Sequence, residues 1–347
     1  MGNKAKSLVN GTKLDNGRYT IQANLCPGID CLTYLANDGY SVIKEFCPEG
    51  ASRNDDGSLN GCEDTNEFRK LANLHRHITS GIIGINSLGT YDMFEENNTV
   101  YFVYDFSGNG EKADFISYKE YSRRDYGKAI FHNSYDEYVK ANRERMTLYD
   151  VIYPIWLAAH ILYEYHENGY VHVNLKPEKI LVSTDESNKP VAVQVLETGS
   201  AVKKENNDGR LVVTKGWSDC ELTSGLDDSV DDRCDIYSLG KILFKTAVKT
   251  AYDICGDVEY EVTFHSSFPF EESECNCIAF ADEEIKGKLG NVFEHSMRAY
   301  RGSRYDTALQ FADALADIIM GLPETDFEAF AEVEKNMQEW HYLMRKE

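Results

Sequence analysis

Between residues 18 and 46 three short stretches, RYTIQANL, CLTYLAND and YSVIKEF, are rich in aromatic and β-branched residues. Turn signals at Pro27-Gly28 and Asp38-Gly39 separate them, so they predict three strands. The period then lengthens. From Asn66 to His77, Phe68, Leu71 and Leu74 recur at helical spacing. YFVYDF, residues 101–106, predicts a short apolar strand that runs into the hinge-like Ser107-Gly108-Asn109-Gly110. A long helical pattern over residues 148–169 closes on Glu167-Asn168-Gly169, a stop signal. VAVQVLETGSA, residues 191–201, begins as another strand. Past Thr325 a T-x-x-E capping box, Thr325 to Glu328, opens a helix on which Phe327, Phe330, Val333, Met337, Trp340 and Leu343 share one face. That face packs back on the main body or is offered to a partner or a second copy.

Strands first and helices afterwards indicate an α+β protein, and 347 residues suit two lobes with a cleft between them better than one core. The formal net charge of −22 argues against a nucleic-acid backbone as partner, which needs a basic face; a solvated acidic surface is the usual explanation and a basic protein partner the other. No apolar run approaches eighteen residues, so no membrane span is expected. MGNKAKSLVN lacks the apolar core of a secretory signal, and Lys6 stands where a myristoylation motif wants Ser or Thr. The nine cysteines are an odd number and are expected to stay reduced, which points to the cytoplasm. Cys275 and Cys277 form a C-x-C without further residues at metal-ligand spacing.

The chemistry is concentrated in YVHVNLKPEKILV, residues 170–182. Together with GTKLDNGRYTI, TYLAND, VIKEF, GSA and DIYSLG, in that order of positions along residues 11–320, this stretch resembles the protein kinase fold, and in detail a bacterial Ser/Thr kinase group. The resemblance implies a bilobal architecture. Residues 1–106 would form a small lobe with a five-stranded sheet and one helix. Residues 107–320 would form a mainly helical lobe with an insertion at about 111–133, and residues 321–347 the amphipathic C-terminal helix, a candidate homodimer contact. It also implies roles. Lys44 would be the phosphate-binding lysine and Glu67 its helix partner, with Glu63 the alternative register; Gly28, Asp105 and Lys176 would complete the nucleotide contacts. His172 and Asp235 would support the catalytic loop, and Glu221 would pair with Arg304.

Several positions depart from the family pattern. H-R-D-L-x-x-x-N reads His172-Val173-Asn174-Leu175-Lys176-Pro177-Glu178-Lys179. Asn174 stands in the place of the base; an amide orients a hydroxyl but cannot take its proton, and that assistance is worth about 10²–10⁴-fold. Lys179 stands where an oxygen ligand for magnesium belongs, and an ammonium about 4 Å from the ion would be repelled by roughly 8 kcal/mol at an effective dielectric of 20. Glu197, with Thr198, replaces the metal-binding D-F. The glycine-rich loop becomes Cys26-Pro27-Gly28-Ile29-Asp30-Cys31, in which Pro27 has no N–H to offer a phosphate. Val173 replaces the arginine that reads a phosphorylated activation segment in many relatives.

These positions predict a pseudokinase, a binding, scaffold or regulatory domain with little or no phosphotransfer. The alternative is a weak or atypical ATP-dependent kinase, or another nucleotide transferase, relying on Lys44, Glu67 and Glu197. Either Lys179 and Glu197 meet, so that any ATP binding is not strictly magnesium-dependent, or Lys179 points to solvent and the cleft is empty or blocked.

Overall fold

The computed structural model describes residues 5–25, 30–81, 90–105, 133–185, 187–196, 201–204, 211–225, 229–247 and 283–345. The chain is α+β. Its described residues through 105 belong to one compact unit and those from Ser134 onward to a second.

The first unit is built on an antiparallel sheet of β1 (Lys13–Leu14), β2 (Tyr19–Asn24), β3 (Cys31–Ala36), β4 (Ser41–Phe46), β7 (Thr90–Glu96) and β8 (Thr99–Asp105). The strands lie in the order β1-β2-β3-β4-β8-β7, so the sheet has six strands and not the five expected. The added one is the two-residue β1, too short to leave a periodic signal. Side chains alternate across the sheet. Ala23, Leu35, Val42, Phe102 and Tyr104 pack under α1 (Asn66–Gly81) through Phe68 and Ala72. On the opposite face Tyr19, Ile21, Tyr34, Ile43, Tyr101 and Val103 are covered by Ala5 and Leu8 and by Ala51, Leu59 and Cys62. Those last three flank or belong to a small hairpin, β5 (Ser52–Arg53) with β6 (Leu59–Asn60), which the polar sequence NDDGSLNG does not announce as strand. Covering both faces explains why every residue of β3 and β4 is buried.

The second unit is organised by α3 (Leu148–Glu167), whose Thr147 side chain and Asp150 form a reciprocal capping box. Buried on nearly every side, α3 lies within the unit's core, packed by α5 (Asp232–Ala247), α7 (Ala308–Ile319) and β12 (Pro190–Val195). The hairpin of β11 (Ile180–Thr184) and β12 carries the short β9 (Asn133–Ser134) along its edge, just before α2 (Tyr135–Asn142). β10 (Tyr170–Val171) pairs with β13 (Val202–Lys203), and α4 (Cys220–Ser224) and α6 (Glu283–Met297) complete the unit.

The last helix, α8, runs Phe327–Met344. Its N-cap is Asp326, which accepts from the Ala329 N–H at 3.1 Å; Thr325, the cap read from sequence, instead donates its hydroxyl to the Ile319 carbonyl at 2.6 Å. Phe330, Met337 and Trp340 are buried in the same chain, Phe330 against Trp156 and Tyr153 of α3, whereas Phe327 and Leu343 are exposed. His341 ties the helix down further: its Nε2 lies 2.8 Å from His160 Nδ1, and its Nδ1 meets Glu164. Burial and the neighbouring His341 push His160 down to about 3, so it is neutral.

Candidate functional site

Strand β4 presents two consecutive charges to opposite faces of the sheet. Glu45 is fully buried on the face covered by the hairpin. It accepts from the hydroxyls of Tyr34 at 2.6 Å and Tyr101 at 2.5 Å, and from Arg53 at 2.5 and 3.1 Å. Burial, then the Glu45 charge, pushes both phenols up, so they remain donors. Arg53 also donates to the carbonyls of Lys6 and Gly57, which fastens the N-terminal segment and the hairpin to the strand.

Lys44 points to the other face, toward α1. It is 8% exposed, and its Nζ lies 5.7 Å from the centre of the Tyr104 ring. Among the described residues no carboxylate lies within ion-pair distance of it. The expected partner, Glu67, is more than half exposed and pairs at 3.1 Å with Lys70 on its own helix. Register is the reason: α1 turns Ala72, His75 and Ile78 inward with Phe68, and Glu67 lies a quarter-turn from that row. His75 takes the inward place, edge-on to Tyr104. Glu63, the alternative, accepts from the Gly61 N–H near the exposed surface.

In the second unit, β10 runs into the loop His172-Val173-Asn174. Val173 has φ +65°, which costs a β-branched residue energy, so the surroundings must impose it. Asp235, fully buried on α5, does so by accepting from the N–H groups of His172 and Val173, each at 2.8 Å. His166 of α3 donates its Nε2–H to the same carboxylate at 2.9 Å. Burial alone would raise the Asp235 carboxyl, but the His166 bond and charge and the backbone donors hold it below the usual range. His172 Nε2 lies 2.9 Å from the Leu196 carbonyl, which only accepts, so that nitrogen carries a proton. Asp235 thus fixes the backbone of the loop at His172 and Val173.

Asn174 is buried, and its Oδ1 accepts from the Thr214 hydroxyl at 2.6 Å. Thr214 escaped the sequence reading because nothing in LVVTKG marks it; only its contact reveals it. Lys179 is 6% exposed, so its side chain lies within the protein and not in solvent. Lys176 is half-buried on the same loop.

The C-terminal ion pair differs from expectation. Arg304 pairs with Asp219, not Glu221, in a two-pronged contact at 2.9 and 3.1 Å, both side chains being buried. Glu221 is engaged by Arg301 instead, through the backbone N–H at 3.1 Å and the guanidinium at 3.4 Å. Asp219 also caps α4 by accepting from the Glu221 N–H, so it must sit at the helix start, where Arg304 reaches it and Glu221 does not. Burial opposes ionisation of Asp219, but the bonds and charges of Arg304 and Arg301 keep its carboxyl below the ordinary range.

Gly28 and Glu197 lie outside the described residues, as do residues 111–132 of the insertion expected at about 111–133 and Cys275 and Cys277; for Asp105, only the backbone at the end of β8 is described. The expected contact of Lys179 with Glu197 therefore falls outside them too.

No family model matches the chain. Over 161 residues it is 28% identical to a calcium-dependent protein kinase 5 of Plasmodium falciparum, covering 46% of this chain and 23% of that one. It is 24% identical over 219 residues to the ribosomal protein S6 kinase 2 alpha of Xenopus laevis, covering 60% of this chain and 26% of that one. The chain thus spans about a quarter of the length of these curated relatives. Among solved structures, the PknI kinase domain of Mycobacterium tuberculosis aligns with 15% identity and a TM-score of 0.48, covering 90% of this chain and all of that one.

Proposed function

We propose that this chain, a relative of the protein kinase superfamily, is a non-catalytic member that works by binding. One observation carries the reading: the residue at the position proposed for the catalytic base is an amide, and its oxygen serves as an acceptor for the Thr214 hydroxyl at 2.6 Å. A group in that state accepts no proton from a substrate hydroxyl. Buried Lys179, at a metal-ligand position, adds a fixed cation where magnesium chemistry would need an oxygen. The scaffold around these positions, Asp235 with His166 and His172, is complete.

Lys44, buried and facing Tyr104, supports nucleotide binding in the first unit. ATP is the proposed ligand, and its binding does not depend strictly on magnesium. A regulatory or scaffolding role toward a protein partner follows, and the net charge of −22 favours a basic surface on that partner. The described cysteines, Cys31, Cys47, Cys62, Cys220 and Cys234, carry free thiols, which supports placing the protein in the reducing cytoplasm.

Thermal unfolding with ATP tests the binding part of this reading. With nucleotide at one hundred times its dissociation constant, stability should rise by about 2.7 kcal/mol, with chelator present as well as with magnesium. A shift seen only with magnesium would contradict it.

A further inference from the structure

Both faces of β4 are covered, so its apolar residues do not decide which way the strand faces: Val42 lies in the cluster under α1 and Ile43 in the cluster under the hairpin. A slip of one residue would exchange the two faces, and apolar side chains on both of them resist it little. The two charges break the tie. In the observed register Glu45 stands opposite Tyr101 of β8 and Leu32 of β3, and Lys44 opposite Phe102 and Thr33. Each oxygen of Glu45 takes one hydroxyl and one guanidinium nitrogen: Oε1 accepts from Tyr101 of β8 and Arg53 Nη1, Oε2 from Tyr34 of β3 and Arg53 Nη2. One carboxylate therefore joins β4 to the strand on either side of it and, through Arg53, to the hairpin. The tyrosines are held in turn. Asn97 donates to the Tyr101 hydroxyl at 2.8 Å, and the Leu8 N–H donates to the Tyr34 hydroxyl at 3.2 Å. On the other face the Lys44 ammonium stands 5.7 Å from the centre of the Tyr104 ring, with no carboxylate of the described residues in ion-pair reach.

We infer that Glu45 and Arg53 are positioning residues for Lys44: their ion pair, sealed by the hydroxyls of Tyr34 and Tyr101, fixes from behind the sheet the register that turns the lysine toward α1. An ion pair with the lysine itself would hold the ammonium and neutralise it. The brace holds the strand instead, and leaves the ammonium its charge for an anion. The hairpin at 52–60 thereby acts on Lys44 from the far side of the sheet, without touching it. That the anion is a nucleotide phosphate rests on the reading above; that Glu45 sets the aim of Lys44 does not.

Lysine labelled with ¹³C at its ε-carbon, in the full chain, reports the aim directly. The Lys44 signal, assigned by its loss in Lys44→Met, should stand apart from those of the exposed Lys70 and Lys140, because Lys44 is buried beside a ring. Glu45→Gln and Arg53→Met should each move it toward the exposed signals, and Arg53→Lys, which keeps a cation for Glu45, should restore part of the shift. Ile21→Ala is the control: it removes buried apolar packing from the same face without touching the carboxylate, so it should lower stability and leave the Lys44 signal in place. Equilibrium dialysis with labelled ATP and chelator is the second readout. Glu45→Gln should weaken binding about tenfold through the misplaced lysine, and Ile21→Ala should leave it near the wild-type value. Hydrogen exchange in α3 checks that each variant is folded. Should Glu45→Gln fail to fold, Tyr101→Phe, which takes one hydroxyl from the carboxylate, decides by the position of the Lys44 signal. A signal that neither Glu45→Gln nor Arg53→Met moves, or that Ile21→Ala moves as far, would overturn the inference. ATP binding that Lys44→Met leaves unchanged would overturn the nucleotide reading and leave the positioning standing.

Discussion

Lys44 and Glu45 are neighbours on one strand, both charged and both buried, yet their surroundings differ completely. Glu45 receives two tyrosine hydroxyls and a two-pronged arginine. Lys44 faces an aromatic ring. A buried charge is costly unless compensated, so the Glu45 face is a brace in which every element locks the next. The Lys44 face holds a charge whose compensation, among the described residues, does not come from a carboxylate. The second unit holds a similar contrast: Asp235 receives two backbone N–H groups and His166, while Asn174 accepts the Thr214 hydroxyl and Lys179 is buried. On the proposed reading, the groups that hold the fold are kept and those that would transfer a phosphoryl are altered.

The largest effect should come from Asp235→Ala. It strands two backbone N–H groups and His166 and removes what imposes the left-handed Val173, so the expected loss is about 3–5 kcal/mol in urea unfolding. A smaller loss would mean that the loop is held by its apolar contacts alone. Acidification should act through the same group and through Asp219. Both carboxyls are depressed in the folded state, so their stabilisation is fully present above the unfolded value of about 3.9 and is lost as pH falls through their lower folded values. Urea midpoints should therefore hold from pH 7 to pH 5 and drop steeply below about pH 4; a midpoint insensitive to acid would show that neither pair matters.

Arg304→Ala should cost about 3 kcal/mol by taking from buried Asp219 its two-pronged partner, whereas Glu221→Ala should cost about 1 kcal/mol or less, since the Glu221 side chain is partly exposed and, among the described residues, is engaged by Arg301. Equal losses would restore the pairing read from sequence. The two faces of β4 give the finest comparison. Glu45→Gln should cost about 1–3 kcal/mol by taking the charge from Arg53. Lys44→Met should change stability by less than about 1 kcal/mol while weakening ATP binding. A Lys44→Met protein as unstable as Glu45→Gln would erase the distinction between brace and site.

Much of this was legible in the residues. The alternating runs of 18–46 gave β2, β3 and β4, and the helical run before Gly169 gave α3, because period and punctuation are local properties. The place of Asp235 followed from the order of motifs. What failed depended on details finer than order. Whether Glu67 or His75 turns toward the sheet is decided by a quarter-turn of α1, and whether Asp219 or Glu221 meets Arg304 by a helix that starts at Cys220. The hairpin at 52–60 was hidden because its residues are those of a turn, although an acidic residue inside the buried YSVIKEF was itself a sign that a cation would come to it. Thr214 carried no local signal of any kind. The shift of the α8 cap from Thr325 to Asp326 is the kind of one-residue difference that capping preferences alone do not resolve.

On the proposed reading the Asn174 loop transfers no phosphoryl group. Incubation of the purified chain with γ-labelled ATP, magnesium and a mixed protein substrate, with α-labelled ATP as the control, tests it most directly. No label above background is expected from either nucleotide. Label appearing from the γ-phosphate in the wild type, and abolished by Asn174→Ala, would contradict it.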